Sequence, residues 1–296
     1  MKQAFIKLHV SILLAGFTGI FGKLISLNEG LLVWYRMLIS SLMLFILLAL
    51  WKKFRLLPFR DMLRIGGVGF LLAMHWIFFY GSIKASNVSI GVVCFSLVGF
   101  FTAILEPVIN RHKISLKELL LSLITVSGII LIFNLDMRYQ TGIILGVISS
   151  ALCAMFTIMN KKVGKDYSST TMLLYELVGG FLCLSILLPF YLYSFPVESF
   201  TPSMQDFAYL LVFAAFCTIL MCILQIQALK VISAFTVNLS YNLEPVYSII
   251  LAMILFNEAQ ELNYAFYIGL GLIVLSTILQ MINVVSERKR LKPVSE

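Results

Sequence analysis

The sequence predicts an all-α integral membrane protein: ten transmembrane helices forming two inverted five-helix repeats, with the N- and C-termini cytoplasmic. Three observations predict this fold class. Of the 296 residues, 60% are hydrophobic and only 12% charged, more apolar surface than one or two soluble cores can bury. The chain divides into ten apolar windows separated by short polar gaps, each of about 20 residues, the length that crosses a hydrocarbon core roughly 30 Å thick. The basic residues alternate from gap to gap.

The windows run 4–24, 30–51, 62–83, 87–109, 116–134, 141–161, 169–193, 206–229, 232–256 and 263–284, followed by a basic tail, 285–296. The first resembles a signal peptide in outline, with Lys2 and Lys7 ahead of an apolar core. Nine similar segments follow it, so it is read as the first span. Span two carries Arg36, and span three carries His75, Trp76 and Tyr80. Span four ends on Glu106-Pro107. Span six opens on GIILG (142–146), a spacing that suits close helix packing. Span seven carries Glu176, span eight Gln225 and Gln227, and span nine the stretch NLSYNLEPVYS at 238–248.

Eighteen of the 22 Lys and Arg residues lie at the two termini and in the gaps after spans two, four, six and eight. The other gaps hold two, Lys84 and Arg138, while Lys23 and Arg36 lie within or at the edge of spans. Basic loops stay in the cytoplasm, which places both termini there. The net charge of +8 thus serves topology and lipid headgroups, and no nucleic-acid partner is expected. The expected partners are a small-molecule substrate and the lipid bilayer, with the chain taken as a monomer. The five cysteines all sit in apolar runs without a CxxC pair and read as buried free thiols. The four aspartates lie in gaps or at span ends, and His9, His75 and His112 are scattered. With no HExxH, GxSxG or Walker A pattern, neither an enzyme nor a metal or other cofactor is expected, and any transport would be secondary.

Five spans is an odd number, so two copies of a five-span unit must face opposite ways, as in many secondary transporters. LLVWYRMLISSL (31–42) aligns with TMLLYELVGGFL (171–182), pairing Tyr35-Arg36 with Tyr175-Glu176. GSIKASNVS (81–89) aligns with QALKVISAF (227–235), pairing Lys84 with Lys230. Glu106-Pro107 and Glu244-Pro245 occupy spans four and nine, out of register. With these, WYRMLISSLML, SLVGFFTAILEPVINRHKIS, YNLEPVYSIILAMILFNE and YIGLGLIVLSTIL resemble the EamA family of the drug/metabolite transporter superfamily. The resemblance covers nearly the whole chain as two units, 4–134 and 141–284. It departs after span four, where Arg111-His112 stands in place of the usual Gly-Glu; the second unit has Asn257-Glu258 there. Glu258 lies in an outer gap and is not taken as a substrate ligand. The resemblance implies helices around a central cavity, alternating access, and a multi-pass protein of the bacterial inner membrane that exports a small organic metabolite such as an amino acid. Efflux of drugs or nucleoside-type metabolites is the alternative. A non-transporting scaffold, whose polar faces would pack closed, and a membrane-embedded enzyme are the rivals outside transport.

A charge at mid-bilayer costs at least about 2.5–3.5 kcal/mol, so each one needs a reason. On a helical wheel Ser240, Tyr241, Glu244 and Ser248 share one face of span nine, and Asn238 and Asn242 widen it. Glu244 lies roughly 18 Å into the span. Pro245 removes a backbone donor and leaves the Tyr241 carbonyl free, which is tolerated at depth beside protein or a wet cavity. Either Glu244 holds a cationic group or a proton while Tyr241, Asn238 and Asn242 orient a substrate, or Glu244 tethers a neighbouring helix. Arg36 either grips a carboxylate or phosphate or snorkels to outer headgroups. Trp76 and Tyr80 either stack a planar ligand or simply pack. His75 either titrates near neutral pH or is a satisfied core residue. Glu176 either titrates or pairs with a cation, and Glu106 is expected to pair with Arg111 or Lys113. The candidate substrate-binding residues are therefore Glu244, Tyr241, Asn238, Asn242, Arg36, Trp76 and Tyr80. The candidate proton-coupling residues are Glu244, His75 and Glu176.

Overall fold

The computed structural model describes residues 2–111, 113–133, 139–197, 199–261 and 264–291; His112, Asp136, Arg138 and the tail beyond Leu291 lie outside them. Among the described residues every regular element is helical, and eight helices are long and apolar enough to cross a membrane. Helix one is Lys2–Ala15 continued by Thr18–Leu24, helix two Glu29–Leu50, helix three Phe59–Ala85, and helix four Val88–Phe95 continued by Val98–Asn110. Helix six is Gln140–Val163 and helix seven Ser169–Ser194. Helix eight runs Met204–Ala214, then a π turn at Ala215–Leu220, then Met221–Leu229. Helix nine runs Ala234–Ser240, a 3-10 turn at Tyr241–Leu243, then Glu244–Phe256. Leu116–Phe133 and Tyr264–Leu291 stand where windows five and ten were expected and are called helices five and ten. Helix ten continues to Leu291, past the end of the expected window.

The starts are set by side chains that accept from the exposed first turn. Asn28, Asn87, Ser168, Ser203 and Ser233 each take the backbone N–H three residues on. Helices four and nine end alike, on residues in the left-handed region, Arg111 (φ 55°) and Asn257 (φ 57°). They also break alike, at Ser96-Leu97 and at Tyr241–Leu243, in the same register from their caps. Pro245 explains the second break only in part. It sits at the start of the following helical segment, and the Tyr241 carbonyl is not left free, because the Glu244 N–H takes it.

The same helix pairs meet when each helix of the first five is exchanged for the one five later, though not over equal lengths. Helix three lies along six and seven, as helix eight lies along one and two; two meets seven, four meets nine and five meets ten. The exchange extends to single side chains. The Tyr35 hydroxyl donates to the Phe200 carbonyl beyond helix seven, and the Tyr175 hydroxyl to the Arg55 carbonyl beyond helix two. Lys84 reaches the Ile25 carbonyl and Lys230 the Tyr167 carbonyl. The expected pairs Tyr35/Tyr175 and Lys84/Lys230 are therefore structural counterparts. The GIILG glycines serve contacts inside the chain: an added Cβ at Gly142 or Gly146 would run into Ser82 of helix three, Ser86 just past its end, or Cys94 of helix four. Leu42, Ile46, Ile186, Phe190, Ile254 and Ile268 are exposed on the outside of the bundle, as lipid contact requires. Of the cysteines, four are buried, Cys183 is half-buried, and all are free.

Candidate substrate cavity

The breaks in helices one and nine lie against each other and open a space between the two halves. Gly16 ends the first segment of helix one, and an added Cβ there would stand 2.7 Å from the Cβ of Tyr247. The absence of a side chain lets helix nine approach, and Ser248 Oγ donates to the Gly16 carbonyl at 2.7 Å. Thr18, just past the break, donates to Ala15 O at 2.7 Å and lies 3.4 Å from Glu244 Oε1. Beside them is a cavity walled by Thr18, His75, Trp76, Phe79, Tyr80, Phe95, Cys153, Phe156, Cys222, Gln225, Tyr241 and Glu244, among others. The room open to the centre of a water-sized sphere is about 40 Å³. That holds a few water molecules and is too narrow for an amino acid.

The structure brings Glu244, Tyr241, Trp76, Tyr80 and His75 to this cavity. Glu244 is 3% exposed, and the ion pair between Lys23 and Glu258 lies elsewhere. The Tyr241 hydroxyl donates to Ser11 Oγ at 3.1 Å. His75 is held to helix six, its Nδ1 2.8 Å from Ser149 Oγ, with its ring tilted against Phe95 at 5.3 Å.

Arg36 is placed otherwise than snorkelling would require. It is fully buried and turned inward, behind the cavity wall. Its Nε donates to Thr218 Oγ1 (2.7 Å), Nη1 to Tyr80 Oη (2.5 Å) and Nη2 to the Cys217 carbonyl in the π turn of helix eight (2.7 Å). Its guanidinium lies 3.6 Å from the Trp76 ring centroid and 4.1 Å from that of Phe213. Trp76 thus stacks a planar cation supplied by the protein itself. Asn238 and Asn242 do not reach the cavity. Asn238 Nδ2 donates to Thr102 of helix four (2.7 Å), and Asn242 Nδ2 faces Thr125 of helix five (3.5 Å). Glu176 is also apart, accepting from Asn160 Nδ2 of helix six at 2.7 Å.

Sequence reasoning missed the contribution of helix one and, apart from Gln225, that of helix eight. The signal available for Thr18 was its place in GFTG (16–19), where two glycines weaken a membrane helix. The π turn that aims the Cys217 carbonyl at Arg36 has no such mark. Glu258, set aside as a ligand, is structural. It is buried and accepts from Lys23 Nζ (2.8 Å), Ser89 Oγ (2.7 Å), Ser89 N (3.0 Å) and Val88 N (3.2 Å), capping helix four. Glu106 does the same at the other end, accepting from Phe235 N at the start of helix nine (3.2 Å). Its out-of-register place lets it stand in for the Glu that the first unit lacks.

The model of the EamA-like transporter family matches residues 4–134 and 140–282. An uncharacterized transporter, YxxF, of Bacillus subtilis (strain 168) is 27% identical over 210 residues. That match covers 64% of this chain and 62% of the relative's own length. A crystal structure superposes with a TM-score of 0.68 over 94% of this chain and 97% of its own, at 12% identity, which supports the fold alone. With both halves matched by one family model, the chain belongs to the EamA-like transporter family, within the drug/metabolite transporter superfamily.

Proposed function

We propose that the protein is a secondary-active permease that moves a small organic metabolite across a bacterial inner membrane, outward, by alternating access. The observation that carries this is a polar and aromatic cavity between the two halves, with a carboxyl that no described cation pairs with. The reading takes all ten helices as spanning, both termini as cytoplasmic, and 4–134 and 141–284 as inverted units. The alternation of Lys and Arg and the exchange symmetry of the packing support it. The cavity is too small to hold cargo as it stands, so the halves must part on one side to admit it. The closed rims at Glu258 and Glu106 are the contacts such a motion would open in turn.

Glu244 favours cargo bearing an amine or other cationic group, with Tyr241 as the neighbouring hydrogen-bond donor. Arg36 is engaged by Tyr80, Thr218 and Cys217, and the wall presents Trp76, Phe79, Phe95 and Phe156. That observation favours a second reading, an aromatic amine or drug-like cation, over a zwitterionic amino acid that needs a partner for its carboxylate. The test is uptake and efflux by purified protein in liposomes, with a pool of labelled amino acids, amines and nucleosides, with and without a pH gradient. Movement of an amine-bearing compound that falls at least about tenfold in Glu244→Gln is the expected result. Equal transport by Glu244→Gln would remove Glu244 from the site, and an unmoved pool would count against transport itself.

A further inference from the structure

We infer that Glu176 and Asn160 form a proton-binding site, separate from the substrate cavity, in which Glu176 is a neutral acid hydrogen-bonded to the amide. The argument is a donor count. Glu176 is 0% and Asn160 1% exposed. Asn160 Nδ2 donates to Glu176 Oε1 at 2.7 Å, yet Glu176 Oε2 and Asn160 Oδ1 are both buried without a partner. Both orphans are acceptors, and they belong to two groups already joined. An ionised carboxylate has no proton to offer, so as a carboxylate the pair leaves two buried acceptors unmet, each bearing the desolvation penalty of an unpaired polar group. One proton on Oε2 supplies the missing donor. Turning the amide over does not remove the deficit, because its carbonyl then faces Oε1 and again only a proton joins the two.

Among the described residues no cation pairs with Glu176 in its place. From helix three, Gly69 lies against the Glu176 backbone. From helix eight the titratable neighbour is the buried free thiol of Cys222. On helix six, Lys161 follows Asn160 and donates to the Ile232 carbonyl at 2.6 Å. Asn160 also borders a pocket of about 140 Å³ shared with Lys161, Lys165 and Lys230, which gives the buried acid a route to water at the basic end of the bundle. The pair offers two free oxygens, far fewer than the roughly six that a hard metal cation takes, so the ligand is a proton rather than a metal ion. The site deepens the transport reading by giving it a group that can load and release one proton. Its counterpart in the first half is Arg36, a fixed charge that cannot.

The test is infrared spectroscopy of the purified full chain in lipid vesicles at neutral pH, with wild type compared to Glu176→Gln. Gln can both donate to and accept from Asn160, so this variant is expected to fold. The expected difference spectrum contains the carbonyl stretch of a protonated carboxylic acid, and Asn160→Ala shifts that band to higher frequency. A difference made only of carboxylate bands overturns the proposal. So does a protonated band that sodium chloride abolishes at constant pH, which would mark a metal-cation site. If Glu176→Gln does not fold, glutamate-labelled wild type is compared with Asn160→Ala, and acid bands that all stay in place overturn it. No substrate enters the measurement, so its failure is distinct from a failure of the transport assay.

Discussion

Arg36 carries five N–H donors, and three of them go to Thr218, Tyr80 and Cys217 while its faces meet Trp76 and Phe213. Each hydrogen bond to a charged group contributes about 1.5–3 kcal/mol, and a desolvated cation–π contact about 2 kcal/mol. Removing the side chain also takes a donor from the Cys217 carbonyl. Arg36→Ala is therefore expected to destabilise the protein by at least about 3 kcal/mol, and Arg36→Lys, which keeps charge but loses the fork, by roughly half as much. Thermal unfolding in detergent measures both. An Arg36→Ala protein that melts with wild type would mean the guanidinium is free to serve cargo after all. Sequence flagged this residue correctly as one that lipid would reject, but could not aim it. Two of its three acceptors lie in helix eight, about 180 residues away, in a π turn with no sequence mark. Asn238 and Asn242 show the converse limit. The wheel places them on one broad polar arc with Glu244, whereas in the bundle that arc is divided among helices four and five and the cavity.

Capping is the element-scale device that holds helices four and nine, and it was partly legible. Asn87 and Ser233 stand at the starts of the expected spans with the side chains such starts favour. The second layer, Glu258 on helix four and Glu106 on helix nine, depends on the halves meeting and could not be read from either helix alone. Glu258 carries a pH dependence whose sign follows from its contacts. Burial alone would raise its carboxyl, but the hydrogen bonds from Lys23 and Ser89, with the Lys23 charge, outweigh burial and hold it below the ordinary range. A carboxyl lowered in the folded state contributes stability above the unfolded value of about 4.3 and loses it as pH falls through the folded value. Glu258→Gln should cost about 1–3 kcal/mol at neutral pH. The gap to wild type should be constant above about pH 5 and close as acid is added, because protonated Glu and Gln are then alike. Melting curves from pH 3 to about 8 test this, and a gap that does not narrow in acid would show that the carboxylate charge plays no part in the cap.

At the scale of the whole molecule the two halves are joined along seams of glycine. Helix three meets helix seven at Gly66, Gly69, Gly179 and Gly180, where an added Cβ at Gly69 would fall on the Glu176 carbonyl and one at Gly179 on Gly66. Helix five meets helix ten at Gly128 and Gly269, each against the other's carbonyl. Between membrane helices there is little hydrophobic drive, so close backbone approach supplies much of the association. Nothing in the helical periodicity separates these glycines from Gly67 and Gly271, which have open space around the Cβ position; only the partner helix does. Gly69→Ala, Gly179→Ala and Gly128→Ala should each force the halves apart and cost about 1–3 kcal/mol. Gly67→Ala and Gly271→Ala should be neutral, or stabilise by up to about 1 kcal/mol through backbone entropy alone. Measured side by side, the five variants separate seam from surface. If Gly69→Ala melts like Gly67→Ala, the helix three–seven seam is not tightly closed. The proposed rocking of one half against the other could then not be assigned to this seam.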